Sequence, residues 1–188
     1  MAEEEKENKG KEEEQNGWSK SKTQLVALTA LFLAVCATFA SLKSAGCNNK
    51  AILSQTQAAD MWAYFQAKSL KKNLYQIEVD ALLWENLAEN EKKHEVLQGY
   101  KKRIERYGKE EKEIIEKAKA LEADRDLNLK LKASFSNSVT YLQIAIMLSS
   151  LAVLIKQLFF WYFSLGLGAV GGYYFFSTLL LMENAIPY

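Results

Sequence analysis

Apolar positions along this chain gather into three blocks, and a long charged stretch with helical periodicity separates the first block from the second. Residues 25–42 (LVALTALFLAVCATFASL) carry no charge and lie between Lys20 and Lys22 on one side and Lys43 on the other. Residues 159–182 are also free of charge and rich in Leu, Phe, Tyr and Gly. Residues 141–155 are shorter, extend back to Ser138 without a charge, and lead through Lys156 and Gln157 into the last block. A helix crossing ~30 Å of hydrocarbon needs roughly 20 mostly apolar residues. The pattern therefore predicts an all-α membrane protein with transmembrane helices over 23–42, 139–155 and 158–182. Trp18, Tyr141, Trp161, Tyr162 and Tyr188 fall near the span ends, where amphipathic rings favour the headgroup level.

The intervening residues 43–138 carry a different rhythm. Leu70, Leu74, Ile77, Ala81, Trp84 and Ala88 are spaced alternately four and three apart. Leu97, Tyr100, Ile104, Tyr107, Ile114, Ala118 and Leu121 follow the same alternation, with Glu111 as a gap. Such spacing places one apolar seam on each helix. The two seams are out of phase, and the break falls at residues 89–96 (ENEKKHEV), near the middle of the stretch. The expectation is an extramembrane antiparallel helical hairpin, coiled-coil-like, with its turn near 89–96. Pairs such as Glu105–Lys109 and Glu113–Lys117 would support the second arm by a few tenths of a kcal/mol each. A single continuous rod is the alternative.

Composition adjusts this picture little. The net charge is +1, so no global basic field points to nucleic acid. The single proline is Pro187, which leaves the interior open to long helices. Residues 1–22 hold seven Glu and five Lys with few apolar side chains, and are expected to be a disordered tail. Residues 183–188 form a short C-terminal tail. The long acidic segment before the first span, and the lack of a small-x-small site after it, favour an uncleaved anchor over a signal peptide. Ser44-Ala45-Gly46-Cys47 faintly resembles a lipoprotein cleavage box, but Ser44 stands where a Leu-like residue is expected. Cys36 reads as a small packing residue within the first span. Cys47, just beyond it, is a candidate for a cross-link between protomers.

Three segments carry a resemblance: ILSQTQAADMWAYFQAKSLKKNLYQ, IERYGKEEKEI and VTYLQIAIMLSSLAVLIKQLFFWYFSLGLGAVGG. Their order after one N-terminal span is similar to that of a family of small bacterial membrane proteins known only as a domain of unknown function. The blocks running from Trp62 to Lys68 and from Phe160 to Gly172 are its most specific parts. The resemblance implies three spans and an external helical hairpin, and implies no enzyme activity. Relatives tend to carry several basic residues between the last two spans; only Lys156 is present here.

Candidate chemistry is sparse. His94, the sole histidine, falls among Glu and Lys in the expected turn. Zinc sites need three or four converging ligands, and no such spacing occurs. Gly166-Leu167-Gly168-Ala169-Val170-Gly171 matches GxGxxG, but within a membrane helix it lacks the strand a phosphate loop requires. Gly168 and Gly172 form GxxxG, suited to close helix packing either within the chain or between copies. Asp60, Trp62, Gln66 and Lys68 form a polar cluster at the foot of the first arm, readable as a partner or lipid-headgroup contact or as a packing layer between arms. Glu110, Glu111, Glu113 and Glu116 read as a solvated face.

No catalytic, cofactor or metal site is expected. The functional expectation is a non-catalytic accessory subunit or scaffold that acts through its hairpin and membrane helices, either as a homo-oligomer or within a larger membrane complex. The motive includes four tyrosines expected to be exposed, Tyr64, Tyr75, Tyr100 and Tyr107. The alternative is a self-assembling pore or transporter-like oligomer using Ser149 and Ser150; against it, the spans hold no Asp, Glu, Lys, Arg or His. Membrane lipids are expected partners and nucleic acid is not. The basic residues of the short tail and Lys156 lead to the expectation that both are cytoplasmic, with the hairpin periplasmic and the C-terminus outside; the resemblance implies that the membrane is a bacterial inner membrane.

Overall fold

A computed structural model describes residues 20–84 and 91–185. They form three helices: α1 (Lys20–Trp84), α2 (Glu91–Ile155) and α3 (Leu158–Ala185). No proline interrupts any of them, and each is long and apolar enough in part to cross a membrane. The N-terminal tail, the connection at 85–90 and the end of the C-terminal tail lie outside the described residues. Of the expected turn at 89–96, residues 91–96 belong to α2, His94 among them. Two compact units are present: Asn48–Leu129, and Met1–Cys47 together with Lys130–Tyr188.

In the unit Asn48–Leu129, α1 and α2 pack side by side in opposite directions: Ser54 meets Asp124, Trp62 meets Glu122, and Lys68 meets Glu110. The α2 seam lies where its spacing predicts. Leu97, Tyr107, Ile114 and Ala118 are buried, with Tyr100, Ile104 and Leu121 half-buried. Glu111, the gap in that rhythm, is itself buried.

The α1 seam is not the predicted one. Leu70, Leu74, Ile77, Ala81 and Trp84 are all exposed, and Ala88 lies outside the described residues. The covered line is instead Ala51, Ser54, Ala58, Met61, Phe65, Lys68, Lys72, Tyr75, Val79 and Leu82, again stepping three and four apart. This line matches what α2 presents. Its Ser54, Lys68 and Lys72 find carboxylates on α2, and Tyr75 lies against Tyr100 and Tyr107 at 5.4 and 6.0 Å between ring centroids. Turning Leu70 and Leu74 inward would leave Glu111 buried with no cation, a costly arrangement. Of the four tyrosines expected to be exposed, only Tyr64 is; Tyr107 is buried, and Tyr75 and Tyr100 are half-buried.

The other unit packs three helical segments through small residues and hydroxyls. Leu33, Ala37, Leu142 and Ala145 form one buried cluster, with Cys36, Ile146 and Leu167 against it. Cys47, Leu131 and Phe135 form a second, joined by Phe175 and Met182. Cys47 is only 2% exposed, so it is a packing residue and not a thiol presented for cross-linking. Ser138 Oγ donates to the Gly171 carbonyl at 2.7 Å, and Ser164 Oγ to that of Ala145 at 2.6 Å. Small residues allow such backbone approach between apolar helices. The outward face is strongly apolar, with Leu28, Phe32, Met147, Phe159 and Tyr173 all exposed.

Between α2 and α3, Lys156 adopts φ 56°, and the Gln157 N–H reaches the Ala152 carbonyl at 3.3 Å. This six-to-one bond with a left-handed residue before it is a Schellman cap. It ends α2 and allows α3 to start at Leu158.

Candidate functional site

The polar cluster expected at the foot of the first arm divides between two faces of α1. Trp62 Nε1 donates to Glu122 Oε1 at 2.9 Å, and Lys68 Nζ donates to Glu110 Oε2 at 2.6 Å. Both side chains therefore belong to the layer between the helices. Asp60 and Gln66 are exposed. Trp62 and Gln66, four apart, do not act together, because the α1 seam runs beside Trp62 and leaves Gln66 outside.

Lys68 is the hub of this layer. Its ammonium stands 5.2 Å from the ring centres of both Tyr64 and Tyr107, within reach of their negative faces. The hydrogen bond to Glu110, aided by Tyr64, raises the Lys68 pKa above its ordinary value. The same bond lowers that of Glu110. One turn further along α1, Lys72 Nζ pairs with Glu111 Oε2. The second carboxylate oxygen of Glu111 is buried without a hydrogen-bond partner among the described residues. Glu110 and Glu111 are thus cross-helix partners and not members of a solvated face.

Two further polar layers flank the hub. Ser54 Oγ donates to Asp124 Oδ2 at 2.5 Å, and Asn128 Nδ2 donates to the Asp124 carbonyl at 2.8 Å. Beyond Lys72, Arg103 donates to the Tyr75 hydroxyl at 2.7 Å with its guanidinium 5.3 Å from that ring's centre. Lys72, Glu111, Glu122, Asp124 and Asn128 had no place in the expected site. The signal that exposes most of them is a polar residue at a seam position: Ser54, Lys68, Lys72, Glu111 and Asn128 all occupy the three-four lines.

Near the start of α2, Gly99, Lys102, Arg103, Glu105, Arg106 and Lys109 line an open groove of about 510 Å³. Lys109 there pairs with Glu105 at 2.8 Å, which raises its pKa and lowers that of the carboxylate. No group of three or more His, Cys, Asp or Glu able to hold a metal occurs among the described residues.

In α3, Gly168 is packed within the chain: a Cβ there would lie 2.8 Å from Leu33 Cδ2. A Cβ on Gly172 would meet nothing within 4 Å. The second close approach belongs to Gly171, where a Cβ would lie 2.9 Å from Leu142 Cγ. Ser149 and Ser150 donate to the carbonyls of Val26 and Ile146, at 3.4 and 3.0 Å.

The zipped pair, the blocks around Trp62 and Phe160 and most of the three helices lie within residues 22–181, and over these residues the chain matches a family model described as a domain of unknown function, DUF4337. The chain belongs to this family. No curated protein and no solved structure matches it.

Proposed function

We propose that this chain is a non-catalytic membrane protein, an accessory subunit or scaffold that works by holding a partner with its zipped helix pair. On this reading α3 and the apolar parts of α1 and α2 lie in a bilayer, and Asn48–Leu129 is an antiparallel coiled coil outside it. One observation carries the reading. The outer face of α1 presents Leu70, Leu74, Ile77 and Trp84, all more than half exposed, in a unit whose inner seam is already filled. An apolar face of this size on a charged, solvated helix marks an interaction surface.

The placement of Lys156 supports the membrane part. It stands in a left-handed conformation that glycine would adopt at lower cost. What lysine adds there is a charge at a short turn between two apolar helices, the kind of position that sets orientation. On this reading the turn and the N-terminus are cytoplasmic and the membrane is a bacterial inner membrane.

Isolation of the tagged full chain in a gentle detergent tests the proposal, with the particle mass measured and every co-purifying chain identified. The expected particle contains a second copy or a stoichiometric partner. A monomer with no partner at working concentration would overturn the reading.

A further inference from the structure

The outer stripe of α1 is more regular than an incidental apolar patch. Ala63, Ala67, Leu70, Leu74, Ile77, Ala81 and Trp84 step four and three apart without a break, and all are exposed. Each lies two residues after a member of the covered seam, from Met61 to Leu82. Two residues are ~200° of helix rotation, so the stripe runs along the opposite face. Within Asn48–Leu129, α1 therefore carries two seams of the same period, one filled by α2 and one empty.

A seam of period 3.5 fits another helix running alongside, because knobs at that spacing fall into the holes of a helix with the same repeat. From this we infer that the occupant is the same stripe of a second copy, packed in register about a twofold axis. Three features select a copy over an unrelated helix. First, the stripe is self-complementary in parallel register: the layers of Leu70, Leu74 and Ile77 lie between the small layers of Ala67 and Ala81, so each layer meets its own kind, as an isologous contact requires. Second, between Gln66 and Glu78 the flanking residues face no like charge across such an axis. Gln66 comes opposite Lys71 of the other copy, and Asn73 opposite Glu78. Third, the area is sufficient. The exposed surface of the stripe and Tyr64 would bury on the order of 600 Å² per copy, ~1,200 Å² for the pair, the lower end of specific interfaces. Anchoring both copies in one membrane, as the proposed function has it, aligns the two α1 helices in the same direction and raises their effective concentration. The inference rests on that reading.

Cysteine cross-linking of the full chain in liposomes tests it, in a C36A/C47A background with single cysteines at Leu70, Ile77 or, as a control on another face, Glu113. In-register pairing predicts disulfide dimers at both Leu70→Cys and Ile77→Cys under mild oxidation, at least tenfold above Glu113→Cys. An antiparallel pair would give at most one of them and overturn the parallel arrangement. The unmodified chain should have dimer mass in detergent, and L74Q/I77Q should shift it to monomer with the circular dichroism of its helices intact. A dimer that survives this variant, with no link at either position, overturns the inference and leaves the proposed function standing. So does a heterologous chain linked at Leu70→Cys in membranes of the native cell. A monomer with no partner overturns both. Should L74Q/I77Q lose helicity, the cross-links alone decide.

Discussion

Individual side chains here are decided by what stands opposite them. Lys72 and Glu111 pair across the helices, but their environments differ: the Lys72 side chain is 30% exposed and that of Glu111 only 9%. Removing the cation strands a buried carboxylate, whereas removing the carboxylate leaves a lysine that can turn to water. K72M should therefore lose about 2–4 kcal/mol and E111L about 1, while K72M/E111L should fall near the unchanged protein. Thermal unfolding in mild detergent ranks the three, and equal losses for the two single variants would contradict the argument. A second contrast lies in α3. A Cβ on Gly171 would come within 3.2 Å of the Leu142 backbone nitrogen, while one on Gly172 would meet nothing within 4 Å. G171A should cost about 1–3 kcal/mol through overpacking. G172A should be neutral or gain about 0.5 kcal/mol by removing a glycine from a helix interior. The same melts read both.

At the level of elements, the end of α2 is set by Lys156 in its left-handed conformation. Glycine takes that conformation without strain, and alanine shares lysine's penalty. K156G should be more stable than K156A by about 1 kcal/mol. If the two melt together, the cap does not govern the α2–α3 junction. The α1–α2 pairing in Asn48–Leu129 depends on charge in a similarly local way. Glu110 lies below its ordinary value of 4.5 because Lys68 donates to it, so its stabilising effect is present above about pH 4.5 and is lost as pH falls through the lower folded value. Lys68 lies above its ordinary 10.5, so its share is present below that pH and is lost only as pH rises through the higher folded value. Between these limits the pair contributes evenly. The melting temperature of the helices should fall on acidification below about pH 4.5, and K68M should make that fall shallower. An identical acid slope in K68M would assign the effect to other carboxylates.

For the whole molecule, the two compact units are built by different chemistry. In Met1–Cys47 with Lys130–Tyr188, the contacts use Ala, Gly and Ser hydroxyls, and the exposed surface is apolar. In Asn48–Leu129, the inner seam mixes aromatics with ion pairs, and α1 keeps an apolar stripe on its far side. Polar groups at seam positions fix register at some cost in stability, the use best attested for buried polar pairs. The layers Ser54–Asp124, Trp62–Glu122, Lys68–Glu110 and Lys72–Glu111 define one alignment of α1 against α2. A slip by one heptad would place each donor opposite the wrong residue.

Sequence alone determined the helical class, the three apolar stretches and the α2 seam. The reason is that these depend on periodicity and on the absence of interior proline, both of which are local. It also located Trp62 and Lys68 as members of a polar cluster. It did not decide which of two heptad lines on α1 faces inward, since Leu70, Leu74 and Ile77 carry the stronger hydrophobic signal and yet lie outside. That choice is made by α2, whose Glu110, Glu111 and Asp124 need the Lys and Ser of the other line, with Trp62 beside that line donating to Glu122. Likewise, Gly168–x–x–x–Gly172 is visible as a motif, but Gly171 and not Gly172 makes the close contact, because the position of Leu142 is a property of the packed helices. Pairing across the chain is non-local, and only the tertiary structure could choose between two faces that the sequence marks alike.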